Sequence, residues 1–158
     1  MSPLAPLVML APVLAAVAYF DLRFMRIPNA LSAIAVGVLI ISALLFPIPD
    51  FPARVVVALL VLFFGIVAFA FRAIGGGDVK ILAVLMLFVP VSGLVVFANV
   101  FSASMIAGIF LVLAARRIPE TSTWGWKSFG GSQKFPMGLS IALAGIAHPI
   151  VALAFQRG

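Results

Sequence analysis

Long apolar runs broken by short polar punctuation organise this chain. Stretches free of Asp, Glu, Lys and Arg cover residues 1–20, 27–49, 55–71, 81–115 and 135–156. A helix needs about 20 apolar residues to cross a hydrocarbon core of about 30 Å, so four of these stretches predict one spanning helix each. The stretch 81–115 would make a single helix of about 52 Å, too long for one crossing. "VPVSG", Val89 to Gly93, interrupts it, and Pro with Gly is strong turn punctuation. Splitting there predicts an all-α polytopic membrane protein with six transmembrane helices, in one membrane-embedded domain over residues 1–158. The fourth helix is short, from Val79 to Val89, and rises only about 16 Å.

The basic residues test that split, because Lys and Arg accumulate on the cytoplasmic side. With six spans the loops 21–29, 72–80 and 116–136 share one side. They hold Arg23, Arg26, Arg72, Lys80, Arg116, Arg117, Lys127 and Lys134, and only Arg54 and Arg157 fall opposite. With five spans the long loop changes sides and the bias shrinks. Six spans with both termini outside is therefore the expectation. The first apolar run ends in Ala16-Val17-Ala18, a possible cleavage site, but no positively charged region precedes it as in a secretory signal. The first helix is expected to be retained.

Composition sharpens the class. Apolar residues make up 65% of the chain and charged residues 9%, against about half and a quarter in soluble domains. The net charge of +6 is spread over segment ends, with no basic stripe interleaved with aromatics, so it reads as topology and not as nucleic-acid binding. There is no cysteine, which excludes disulfides, thiolate metal sites and cysteine nucleophiles. His148 stands alone, so no metal or cofactor is expected. It reads as packed and hydrogen-bonded within the last helix, with Pro149 marking a kink.

Against this background the acids stand out: Asp21, Asp50, Asp78 and Glu120 are the only four. Asp21 and Asp78 fall on the cytoplasmic side, and Asp50 falls opposite in "FPIPDFP". Because the fourth helix is short, Asp78 is expected to be recessed within the membrane. Irregular backbone at that depth is tolerated only where protein buries it or water reaches it. Gly75, Gly76 and Gly77 supply such backbone as a hinge. Asp78 also fits a plain helix N-cap, and Asp21 a solvated carboxylate balanced by Arg23 and Arg26. What favours chemistry is the pair, since carboxylates in a bilayer are costly and tend to be functional. Two carboxylates sharing a site hold one proton between them. One can then take a proton from water while the other donates to a carbonyl oxygen, as in an aspartic protease. Spacing does not show that they meet.

"FDLRFMRIPNALS" (Phe20 to Ser32), "GGGDVKIL" (Gly75 to Leu82) and "KFPMGLSIALAG" (Lys134 to Gly145) stand in the order seen in type IV prepilin peptidases. The chain resembles the short kind serving tight-adherence (Flp) pili. The resemblance covers the chain from Ala18 to Gly145. It implies a bacterial inner-membrane aspartic endopeptidase with a G-x-G-D motif, which maps to Gly75-Gly76-Gly77-Asp78 and is shared with presenilin-like proteases. The family's first catalytic aspartate, ahead of an I-P-N element, maps to Asp21 before Ile27-Pro28-Asn29. The implied partners are prepilin or pseudopilin substrates, cut at the cytoplasmic face after a basic leader and just before an apolar helix, together with membrane lipid. Longer members carry an N-terminal cytoplasmic domain with paired cysteines, associated with N-methylation. That domain is not found here, so methyltransferase activity is not expected. The late family motif P-Y-G reads Pro136-Met137-Gly138.

Other features take plainer readings. Lys80 is expected to snorkel to the interface or to favour the charged form of Asp78. Loop 116–136 is long enough for a lid or docking surface, its Trp124 and Trp126 suit the headgroup level, and with the turn from Pro136 to Gly138 it is a candidate for binding the leader. Ala98 with Ser102 and Ser104 with Gly108 have the spacing of close helix packing, and Asn99 reads as interhelical glue. A proton-coupled carrier using the same carboxylates, or a structural membrane subunit, are the rival functions.

Overall fold

The structure, a computed structural model, describes residues 4–118, 121, 124–129 and 135–156. Glu120, Lys134, Arg157 and part of loop 116–136 lie outside them. The described residues form six α-helices and no strand: α1 (Ala5–Phe24), α2 (Asn29–Leu45), α3 (Phe51–Ala70), α4 (Gly76–Met86), α5 (Leu94–Arg116) and α6 (Met137–Gln156). A 3₁₀ turn, Val91–Gly93, precedes α5. Helices α1, α3, α5 with its preceding turn, and α6 are long and apolar enough to cross a membrane. The apolar helix α2 is shorter at 17 residues, and α4 has 11.

The break expected at residues 89–93 is present. Pro90 lacks the N–H that a continuing helix needs, and α5 starts afresh at Leu94. Helix α4 has the expected length but begins three residues earlier than the sequence reading put it. Gly75 is extended at the N-cap, while Gly76 and Gly77 join the first helical turn. The reason is packing: the Phe69 ring and Ile27 lie where side chains on Gly76 and Gly77 would project.

Arg54 sets the other end of α4. Assigned by sequence only as a charge on the opposite side, it is 1% exposed. Its Nη1 donates to the Phe88 carbonyl at 2.9 Å and reaches the Leu87 carbonyl at 3.5 Å, and its Nε donates to the Pro49 carbonyl at 3.1 Å. A helix end leaves carbonyls without intrahelical partners, and inside a bilayer these have no water to turn to. One guanidinium supplies the donors and ties α4 to the turn before α3.

The core lies where α1, α4 and α6 meet, with Leu10, Leu14 and Val17 against Ile81, Leu85 and Ile141. Leu14 and Leu85 both close on Gly145, where a Cβ would stand 2.5 Å from Leu14 and 3.2 Å from Leu85. Helix α2 packs on α1 and α4, α3 flanks α4, and α5 flanks α6. The outward faces carry Leu44, Phe63, Phe64 and Phe110, as hydrocarbon surroundings require.

Helix α5 divides the small-residue pattern in two. Ser104 and Gly108 are buried, with Gly108 against Ser140 and Phe135. Ala98 and Ser102 face outward because α5 lies on the rim of the bundle. Asn99 donates to the Val95 carbonyl of its own helix at 2.8 Å rather than to a neighbour. His148 is fully buried, edge-on to Phe97 at 5.6 Å. Contrary to the expectation of a hydrogen-bonded ring, neither of its nitrogens has a partner among the described residues, because the ring packs against Phe97 and Gly93.

Candidate active site

Asp21 lies in the last turn of α1, 5% exposed, and so is not a solvated helix-end charge. Its Oδ2 accepts the backbone N–H of Gly138 at 2.6 Å, with a second backbone contact from Leu139. These are N–H groups of the first turn of α6, which lack intrahelical acceptors. A helix N-terminus favours an anion, so α6 holds the Asp21 carboxylate by its backbone. A Cβ on residue 138 would stand 2.8 Å from Asp21 Oδ2, so only glycine lets the backbone approach this closely.

Asp78 mirrors this arrangement at α4. It is not the N-cap, which is Gly75, but the third residue of the helix. From there its carboxylate reaches back to the Gly75 backbone N–H, the side-chain half of a capping box. A Cβ on Gly75 would stand 2.6 Å from Asp78 Oδ2. The other oxygen, Oδ1, is buried without a hydrogen-bond partner among the described residues. Asp78 and Asp21, far apart in sequence, line the same two cavities, and the charge of Asp21 reaches Asp78.

Ile27 joins the two halves. After α1 the chain reverses through Met25, in left-handed conformation with φ 53°, and an extended Pro28 leads into α2. The Ile27 side chain is buried. A Cβ on Gly138 would meet it at 2.8 Å and one on Gly77 at 3.0 Å. The N-terminal turns of α4 and α6 thus close on one isoleucine. Asn29 adds a polar tie: Lys80 Nζ donates to Asn29 Oδ1 at 3.0 Å. No ion pair joins Lys80 to Asp78 among the described residues.

The two cavities differ in character. The larger, of about 830 Å³, is walled by Phe69 and Ala70 of α3, Met105 of α5, and Phe135 and Met137 at the start of α6. The smaller, of about 320 Å³, is lined by Arg26, Asn29 and Lys80. Both open on Asp21, Met25, Gly75 and Asp78. Asp50 lies elsewhere, in left-handed conformation at the N-cap of α3. Among the described residues no three His, Asp or Glu side chains are grouped to hold a metal ion.

The described part of loop 116–136 docks on the end of α1. Lys127 N–H donates to the Arg23 carbonyl at 3.0 Å, Ser128 N–H to the Leu22 carbonyl at 3.3 Å, and Arg116 Nε to the Ser128 carbonyl at 2.8 Å. Trp126 stacks on Phe129 and meets Tyr19 edge-on, while Trp124 is exposed. The described part of the loop therefore covers the helix end at Leu22 and Arg23, directly after Asp21. Sequence reasoning picked out both aspartates and the glycines beside Asp78. It read the turn from Pro136 to Gly138 as a leader contact and missed that Gly138 holds Asp21; it also missed the packing of Ile27 and the bond of Asn29. The Pro-x-Gly step just before the last apolar run was the available signal for Gly138.

Compared with known proteins, residues 8–113 match the model of the type IV leader peptidase family. That span contains both aspartates and ends before α6. No curated protein and no solved structure matches the chain.

Proposed function

The chain belongs to the type IV leader peptidase family, and we propose that it is an aspartic endopeptidase in which Asp21 and Asp78 share one catalytic proton. The substrates are prepilins or pseudopilins of the Flp type, cut at the cytoplasmic face of the bacterial inner membrane between a basic leader and an apolar helix. The observation that carries this reading is the convergence of two of the four acids on shared cavities at the N-terminal turns of α4 and α6. Both termini lie on the periplasmic side in this reading, which the loop charges support.

The hydrogen bonds suggest a division of labour. Asp21 accepts backbone N–H groups from α6, and charge-assisted bonds of this kind are strong. It acts as the base, taking a proton from a water placed between the carboxyls as the water oxygen attacks the scissile carbonyl carbon. Asp78 has one unpartnered oxygen and donates its proton to the carbonyl oxygen, giving a tetrahedral diol. Asp21 then passes its proton to the departing amine, and a diol O–H returns a proton to Asp78 as the C–N bond breaks. The leader leaves with a new carboxyl terminus and the pair regains its single proton. Gly75, extended just ahead of α4, serves as the hinge that lets Asp78 adjust when substrate arrives, while Gly76 and Gly77 belong to the first helical turn.

The test is cleavage of a co-expressed prepilin by the wild-type chain, Asp21→Asn, Asp78→Asn and Asp50→Asn, with each protein brought to equal level in the membrane. Loss of cleavage in the first two variants with Asp50→Asn active is expected. Full cleavage by either dyad variant would contradict the mechanism.

A further inference from the structure

The helix packing leaves α3 and α5 apart on either side of the central pair. Helices α4 and α6 touch along the centre, α3 flanks α4 and α5 flanks α6, but α3 and α5 form no packed interface with one another. The 830 Å³ cavity lies at the dyad end of that gap, with Phe69 and Ala70 of α3 on one side and Met105 of α5 on the other. Phe69 is 52% exposed, and Ala70 and Ala73 at the rim are exposed as well. The other approach, through the 320 Å³ cavity, passes Arg26 and Lys80.

We propose that the gap between α3 and α5 is the side entrance through which the apolar helix of the substrate reaches the dyad from the bilayer. This rests on the peptidase reading above and adds the route and the docking surface. The argument is one of solvation. An apolar segment loses about 25 cal/mol for each Å² moved out of an apolar environment into water, so it stays in lipid or protein for as long as it can. The route between α3 and α5 keeps it against Phe69, Ala70 and Met105 until the scissile bond meets the carboxylates. The second cavity has less than half the volume and presents Arg26 and Lys80, whereas the larger has one cation, Arg72, beside an otherwise apolar wall of Phe69, Ala70, Met105 and Phe135. The smaller suits a polar backbone but not an apolar helix about 10 Å wide. The bond to be cut therefore lies across the dyad, with its apolar side toward α3 and α5.

Because the chain has no cysteine, introduced thiols are unique. The probe is a prepilin that the wild-type chain cleaves, with a single cysteine in the first turn after the cleavage junction. It is oxidised in membranes with Asp78→Asn protein carrying Phe69→Cys, Met105→Cys or, as the contrasting position, Asn29→Cys. Disulfides to positions 69 and 105 but not 29 are expected. A disulfide to 29 alone, or to none of the three, overturns the route. In the active background, a short bifunctional thiol reagent bridging Phe69→Cys to Met105→Cys is expected to abolish cleavage of the membrane-embedded prepilin. A short soluble peptide spanning the junction should still be cut by the same bridged protein. Undiminished prepilin cleavage after bridging also overturns the route. Failure of the aspartic reading appears separately, as activity in the dyad variants with trapping unchanged.

Discussion

A single methyl group is enough to disturb either carboxylate. Added at Gly138 it would stand 2.8 Å from Asp21 Oδ2 and 3.0 Å from Asp21 Cβ, and added at Gly75 it would stand 2.6 Å from Asp78 Oδ2. The approaches of 2.8 Å and 2.6 Å are closer than real Cβ contacts allow, so the carboxylate or the helix end must move. Displacements near 1 Å cost about a hundredfold in rate when they misplace reacting groups. Gly138→Ala and Gly75→Ala should therefore each lower kcat by roughly 10- to 100-fold, with smaller changes in KM. Steady-state kinetics on the reconstituted protein, paired with its Tm, checks this; normal kcat in both would remove the glycines from the positioning of the dyad. The aspartates themselves were legible in the sequence because acids are scarce in so apolar a chain. Gly138 was not, because its role depends on α1 and α6 lying side by side, which no local pattern encodes.

At the scale of the helices, α4 decides where Asp78 sits. Its 11 residues are too few to span the bilayer, and both ends are held by groups distant in sequence. Ile27 and the Lys80–Asn29 bond hold the start, and Arg54 caps the finish. Replacing Arg54 by Leu would strip donors from the Phe88 and Pro49 carbonyls. Buried groups left unpaired cost about 1–3 kcal/mol each, so Arg54→Leu should lower stability by roughly 2–5 kcal/mol. Thermal unfolding in detergent or lipid reads this as a clear drop in Tm, and an unchanged Tm would mean that α4 is held without Arg54. The break at Pro90 was readable, since proline cannot continue a helix. The start of α4 was not, because three glycines in a row leave the first turn to be chosen by the packing of Phe69 and Ile27. The small residues of α5 show the same limit: spacing gave two candidate contacts, and only Ser104 with Gly108 lies where a partner helix exists.

At the scale of the whole molecule, the number of helices followed from hydrophobic length and the loop charges. Their pairing did not, because lipid-facing and protein-facing surfaces are equally apolar here and periodicity cannot separate them. The bundle that results brings the ends of α1, α4 and α6 together around the two aspartates and leaves α3 and α5 apart beside them. The central claim is that Asp21 and Asp78 work as one unit. The most direct test is a double-mutant cycle on purified, lipid-reconstituted protein, measuring kcat/KM for prepilin cleavage by wild type, Asp21→Asn, Asp78→Asn and the double variant. Groups that act as a unit are strongly non-additive. The account predicts that each single change lowers kcat/KM by at least about a thousandfold, with the double variant no worse than the singles. Losses that multiply in the double variant, or a single variant that keeps its activity, would contradict it.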